Sequence, residues 1–590
     1  MKKVFICLGV LFYLVPFAQA QLSKAQLLAD LSQLVQLIDT KHVRPYRLVS
    51  KQDFDSVVKQ AKKLIKSRQT CDETCYVAFL KVIAALNDGH SVIAYDSREK
   101  LFGYLPVTTT WFKEGLIVTR VPQLQARALG KKLVAIDGVS IETVLKKLEK
   151  VIPHGNRSRF KKFAYAYLRM PGLLFGLGIT QSPQKATFTF AQGKKKFRML
   201  FEHLPDEKYK RTKFVRVDDY LKRVPIHRQK VGDYYWYRYD AALKVFYFNY
   251  SRVGNMKNKR ASAFARQMWA KVDSLEIDRF VLDMRDNGGG QFGYSMAFTQ
   301  GILDRPRLNK RGKLFVIAGY NTFSAALDML RIFEQKTQAI IVGEPPCDYA
   351  ASSGDPKTYK LNNSGISVQL SSVFHPTVFK NDMRKELILD QQIASSWASY
   401  SKGRDDSYEY VLNYVQKPLL PGNAKQYQAC LGRFEYDEDR HIIIRKDKGA
   451  LSIEVSKTLI SPLYWQKKNR FITEIQGLRV ELNDKNIKLY FPDGKKATFK
   501  RAKVQKSALE YLYEGDLAKA RPLYSKLAAE NPRSPKTTDG RFSNLALFAF
   551  FDLRKTDKAK AAKIAKGILN LGIELNQGQA PSCKFALRFY

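Results

Sequence analysis

Ser324 stands in Gly319-Tyr-Asn-Thr-Phe-Ser324-Ala-Ala, between an apolar run, Leu314 to Ala318, that reads as a buried strand and a run to Phe333 that reads as a helix. A hydroxyl at that junction lies at the carboxyl end of a strand, where open α/β sheets form their sites. It can attack a carbonyl carbon once a base takes its proton. The oxyanion so formed needs hydrogen-bond donors, and the N–H of Ala325 at the helix start is one. A second donor has to come from the opposite side. The loop Asn287-Gly288-Gly289-Gly290 follows the buried strand Phe280 to Asp283, and glycines let backbone N–H groups approach a substrate unobstructed. Singly, a serine at a helix start is most often a cap and a glycine run most often a turn. Together, at neighbouring strand ends, they point to acyl-transfer chemistry.

These two loops need a layered scaffold, and residues 206–418 have the alternation of strand and helix that builds one. Val245 to Tyr250 and Ala339 to Val342 read as further strands, and Phe264, Met268, Trp269, Val272 and Leu275 as one face of a helix. Upstream, residues 21–95 read as a helical domain. Leu27, Leu28, Leu31, Leu34, Val35 and Ile38 recur at helical spacing behind a Ser23–Gln26 capping box. Helices over Phe54 to Ile65 and Cys75 to Leu86 follow, ending at Asn87-Asp-Gly-His-Ser91. Residues 96–205 alternate short β runs with turns; the clearest is Gly130 to Gly138, closed by Asp-Gly and followed by a helix through Val144, Leu145 and Leu148. Residues 419–500 read as a separate β module. Residues 501–590 are helical, with Ala508, Tyr511, Gly515, Ala520, Tyr524 and Pro532 spaced as in a tetratricopeptide unit.

The set Asp88-Gly-His-Ser91, Leu282-Asp-Met-Arg-Asp-Asn-Gly-Gly-Gly290, Thr322-Phe-Ser-Ala-Ala326, Val342-Gly-Glu-Pro345 and Gly403-Arg-Asp405 resembles the tail-specific (C-terminal processing) serine peptidases. It is more similar to their tricorn-core-like and retinoid-binding-module-like branch than to the Ser-Lys processing enzymes. The resemblance runs from about Leu27 to Val415. It implies a multidomain α/β protein: a helical N-terminal domain, a PDZ-like region, a crotonase-like layered α/β catalytic core, then the β module and TPR-like helices. It implies Ser324 as nucleophile and oxyanion donors at Ala325 and at Gly289 or Gly290. In the Ser-Lys branch a lysine closely follows Gly-Glu-Pro, but this chain has none there; Lys357 and Lys360 lie further on. The tricorn-like branch implies His90 as base, and a neutral imidazole can take a serine proton near pH 7. Asp382 and Glu386 are the candidates for the carboxylate that orients it. Leu327 replaces a glutamate common in the family, and Glu344 reads as structural.

The expected activity is that of a serine endopeptidase acting on peptides or unfolded protein tails through an acyl-enzyme. The alternatives are a silent cleft that binds an apolar ligand or peptide, and an envelope scaffold acting through the C-terminal modules. Lys2, Lys3, the apolar run to Phe17 and Ala18-Gln-Ala20 read as a signal peptide, residues 1–20, so an exported, periplasmic or secreted protein is expected. No later run is apolar enough for a transmembrane anchor. The excess of 100 Lys and Arg over 55 Asp and Glu, a formal charge of +45, suits an anionic envelope surface. The basic residues are scattered, and no nucleic-acid module is present. With no Cys/His ligand cluster and no nucleotide loop, no metal and no cofactor are expected. Of the cysteines beyond the leader, Cys71 and Cys75 are near enough in sequence for a local disulfide.

Overall fold

The computed structural model describes residues 22–587, except 194, 377–383, 388, 416–420, 438–439, 448, 456–458, 468, 474–477, 491–495, 503–507, 531–538 and 554–556. The signal-peptide segment and Asp382 lie outside the described residues.

Three helices open the chain: α1 (Lys24–Lys41), α2 (Lys51–Lys66) and α3 (Glu73–Ala85). The Ser23–Gln26 capping box closes the start of α1 in both directions and removes two orphan N–H groups from the helix end. Leu27, Leu31, Leu34 and Ile38 turn inward at the three-and-four spacing. They enter one apolar cluster that continues through Val118, Leu133, Ile136, Phe188 and Phe201. Those residues belong to the seven-stranded antiparallel sheet that occupies the region after Thr108. The helical segment and this sheet therefore share a single core. Asp137 and Gly138, both at positive φ, make the tight turn between Lys132–Ile136 and Val139–Ser140.

The central layer is a six-stranded sheet: β1 (Tyr235–Asp240), β2 (Val245–Tyr250), β3 (Arg279–Asp283), β4 (Leu314–Ala318), β5 (Ile340–Gly343) and, at the far edge, Gln391–Gln392. β1 runs antiparallel to β2; every other pairing is parallel. β2, β4 and β5 are buried throughout, the continuous apolar pattern of strands covered on both faces. Two apolar clusters sandwich the sheet, one on each face. Parallel order aligns the carboxyl ends of β3, β4 and β5, so the loops that follow them converge on one edge.

A long hairpin, β6 (Ser352–Lys360) with β7 (Ser367–His375), leaves this layer and pairs with Val92–Ile93, directly after α3. It carries the N-terminal helices to the sheet edge. Beyond it, eight antiparallel strands from Gly432 to Arg501 close into a barrel. Five helices follow between Ala508 and Ala586. Among the described residues no helix is long and apolar enough to cross a membrane. Cys71 and Cys75, whose spacing suggests a disulfide, are buried and not bonded to each other, with their sulphurs 2.8 Å apart. Burial and then the neighbouring thiol push Cys75 up to about 12.

Candidate active site

The turn after β4 is held from several directions. Thr322 Oγ1 donates to the Met284 carbonyl (2.8 Å) and accepts from the Gly319 N–H (3.0 Å). Phe323 N–H donates to the Asn287 carbonyl (3.0 Å), and Cys347 N–H to the Thr322 carbonyl (2.9 Å). The chain then leaves the strand at Ser324 with φ 55° and ψ −128°. This left-handed conformation costs a non-glycine residue of order 1–3 kcal/mol and persists only where its surroundings over-determine it. The helix α5 (Ala325–Lys336) starts at the next residue, and the Ser324 side chain makes no capping bond to it. Ser324 is thus not the helix cap that its position alone would favour.

The glycine loop lies against this turn. A Cβ on Gly289 would fall 2.7 Å from the Phe323 carbonyl oxygen, and one on Gly290 would fall 1.8 Å from that of Val253. Both residues also have positive φ, so a side chain is excluded twice over. Asn287, fully buried, donates to the Tyr250 carbonyl and accepts from the Gly289 N–H (2.9 Å each). The N–H groups of Gly290 and Ala325 have no hydrogen-bond partner among the described residues. Two backbone donors beside Ser324 are therefore open, and the Gly289 donor is taken.

His90 reaches the same place from the end of α3. Its ring stacks on Phe323 (centroids 4.2 Å apart), next in sequence to Ser324. Asp88 shapes the loop that carries it. Its carboxylate accepts from the His42 ring (2.8 Å), the Ser91 hydroxyl (2.5 Å), the Ser371 hydroxyl (2.6 Å) and the His90 N–H (3.2 Å). Burial alone would raise the Asp88 carboxyl; the hydrogen bond and charge of His42 instead hold it well below the usual carboxylate range. The His90 side chain is 10% exposed, and neither ring nitrogen has a hydrogen-bond partner among the described residues. Burial, which outweighs the opposing charge of Asp88, drives its pKa down to about 3, so the ring is neutral at physiological pH.

Asp348 faces this ring. Its Oδ2 lies 3.8 Å from His90 Nδ1 and is itself buried without a hydrogen-bond partner among the described residues, while Oδ1 accepts from the Tyr349 N–H (2.8 Å). Burial raises its carboxyl to about 6. Asn156, ahead of the helix α4 (Arg157–Tyr167), holds the backbone of this segment by donating to the carbonyls of Pro346 (3.0 Å) and Asp348 (2.9 Å). Gly89 makes the approach of Asp348 to His90 feasible, because a Cβ there would meet Asp348 Oδ2 at 2.5 Å. Arg159 and Lys162 of α4 lie over the Phe323 ring, at 4.3 and 4.7 Å. Each unpaired buried polar group costs about 1–3 kcal/mol, and here two ring nitrogens and a carboxylate oxygen are left so within one small volume. Native structures keep such groups chiefly at working sites.

Ser324, Ala325, Gly290 and His90 line one cleft of about 470 Å³. No protein-family model matches the chain, and no curated protein matches it. Among solved structures it is similar to mature CPAF complexed with lactacystin (14% identity, TM-score 0.46, covering 66% of this chain and 97% of that one). It is similar also to the photosystem II D1 C-terminal processing protease (14%, TM-score 0.33, 65% and 99%) and to the tricorn protease (11%, TM-score 0.30, 66% and 36%). The chemical reading of the cleft rests on the geometry of this chain.

Of the carboxylates expected to orient the base, Glu386 stands apart from the cleft, near Lys161, the ion-pair partner of Glu344 (2.7 Å). Lys357 lines the cleft but is exposed on β6, without the burial that would make an ammonium a base. Leu327 is buried in the core beside the sheet. Arg285 and Asp405, from two of the quoted motifs, form a buried bridge (3.0 Å) with Asp283 and His227, tying β3 to the helix Asp406–Leu412. The Arg285 and Asp405 side chains shape the sheet edge and do not line the cleft, whereas Gly290 of the first motif does. Sequence reasoning passed over Asp348, and also Asp355 and His375, an ion pair (2.8 Å) that lines the cleft. The available signal for Asp348 was an acidic residue inside the otherwise apolar Pro346 to Ala351.

Proposed function

We propose that this chain is an exported serine peptidase that cleaves peptides or unfolded protein tails through an acyl-enzyme on Ser324. The observation that carries this reading is the joint placement, in one cleft, of a strained serine, two open backbone N–H groups and a neutral histidine with unpartnered ring nitrogens. Ser324 Oγ attacks the substrate carbonyl carbon while His90 Nε2 takes the hydroxyl proton. The oxyanion is held by the N–H groups of Ala325 and Gly290. Asp348, facing Nδ1, balances the imidazolium charge. His90 returns the proton to the leaving amine, and water, deprotonated by the same ring, releases the acyl group.

The remaining parts of the reading are a PDZ-like module in the seven-stranded sheet that guides an extended substrate, a crotonase-like core, and TPR-like terminal helices. They are supported by element order and by the shared core with the N-terminal helices. The first test is labelling of the purified mature protein with a fluorophosphonate. Label is expected on wild type, none on Ser324→Ala, and at least tenfold slower labelling of His90→Ala. Folded wild type that stays unlabelled would transfer the weight to a ligand-binding cleft without catalysis.

A further inference from the structure

The far end of the chain walls the cleft. Ser543, Asn544 and Leu547 of α6 (Asp539–Leu553), with Pro581 and Ser582 of α7 (Pro581–Ala586), line it opposite Ser324 and His90. Residues 543, 544 and 547 share one face of the helix by their spacing, so the wall is a single helical surface. Its position is built in at two points. A Cβ on Gly540 would lie 2.2 Å from Val373 Cγ1, so the start of α6 rests directly on β7. Phe542, Leu545 and Ala546 share an apolar cluster with Met296 and Leu303 of the helix that follows the glycine loop and with Ile332 of α5.

We propose that these C-terminal helices are the specificity wall of the substrate cleft and that they select short peptides over long unfolded chains. This rests on the serine-peptidase reading and narrows it. The space left between β6–β7, α5 and α6 falls in the range of small-ligand sites, roughly 300–1,000 Å³. A long chain running past Ser324 in both directions meets α6 and α7, whereas a peptide of a few residues fits beside them. The wall is suited to an extended peptide: Ser543 and Asn544 offer hydrogen bonds to its backbone, and Leu547 offers an apolar contact.

The test uses the full mature chain, a fluorogenic peptide selected from a library, and the same cleavable sequence placed inside a long unfolded carrier. Wild type is expected to cleave the short peptide at least about tenfold faster than the carrier. Asn544→Trp, which fills the cleft, should lower short-peptide kcat/KM by about tenfold or more, a larger loss than in the rate of fluorophosphonate labelling. Lys560→Trp, on an exposed helix start elsewhere, should change neither. Leu547→Ala, which removes wall, should bring the short and long rates closer. Equal cleavage of peptide and carrier by wild type overturns the proposal, as does an Asn544→Trp protein with normal labelling and normal peptide cleavage. Should melting show Asn544→Trp misfolded, the Leu547→Ala ratio decides. Absence of label on wild type sinks the peptidase reading itself, a result separable from failure of the wall.

Discussion

At the scale of single residues, the cleft's acid–base behaviour is set by two buried groups displaced in opposite directions. His90 is held down to about 3 and Asp348 is raised to about 6, burial being the leading cause in each. Between those values both are neutral. Above about pH 6 Asp348 is a carboxylate while His90 remains neutral, the state in which a proton received from Ser324 is compensated. We therefore expect kcat/KM to rise with pH through about 6, a limb belonging to Asp348 rather than to the histidine. Asp348→Asn should abolish that limb and lower the plateau by roughly 10²–10⁴-fold. The same substitution should stabilise the fold. A carboxyl with a raised pKa favours the folded state below its unfolded value, near 4, and that contribution is lost as pH rises through about 6. At pH 8 the ionised, unpaired group is a liability on the order of 2–3 kcal/mol, so Asp348→Asn should unfold at higher urea than wild type. A variant neither less active nor more stable would remove Asp348 from the mechanism.

At the scale of elements, the decisive piece is the loop from α3 to Val92–Ile93, and Asp88 holds it. This single carboxylate joins α1 through His42, β7 through Ser371 and the His90 loop through Ser91 and the His90 N–H. Its depressed pKa means that its contribution is present above about pH 4 and is lost on acidification. Asp88→Ala strands a buried imidazole and two hydroxyls. It should cost about 3–5 kcal/mol in urea unfolding at pH 7 and slow fluorophosphonate labelling, although Asp88 does not line the cleft. Unchanged stability with normal labelling would mean that His90 is positioned by Phe323 alone. The same geometry explains what was legible beforehand. Asp-Gly-His-Ser, the triple glycine and Thr-Phe-Ser-Ala-Ala were legible because each is a short contiguous motif, although Asp88 and Thr322 also act through partners distant in sequence. The parallel strands were likewise legible from continuous apolar runs. Asp348 was not, because its approach to His90 depends on Asn156, 192 positions away in sequence, and on the missing side chain of Gly89. Nor did period-two alternation reveal that the last β module closes into a barrel, since closure is a property of first and last strands meeting: Phe434 and Glu435 against Arg501 and Lys500.

At the scale of the whole molecule, the excess of basic residues remains to be placed. A formal charge of +45 exceeds what solubility asks of a small domain several-fold, and self-repulsion of that size burdens the compact state. Some of the cations are engaged locally: Arg285 and Arg384 in buried ion pairs, and Arg120, Arg159 and Arg305 over aromatic rings. Many lysines of α2 and of the C-terminal helices are exposed, and such charges act over about 8 Å at physiological ionic strength. We propose an anionic envelope surface as their partner, the alternative being a solvated basic surface. The mature protein should co-sediment with vesicles containing anionic phospholipid at low salt and be released as salt rises toward about 0.5 M, where screening shortens that reach to a few ångströms. Vesicles of zwitterionic lipid should not retain it at any salt concentration. Retention that survives high salt would indicate apolar insertion instead, and none on anionic vesicles would mean that the charge serves solubility alone. Because Ser324 lies in a cleft walled by helices, surface capture and cleavage are separable. Vesicle binding should leave the labelling rate of Ser324 unchanged and raise only the local concentration of the protein at the surface.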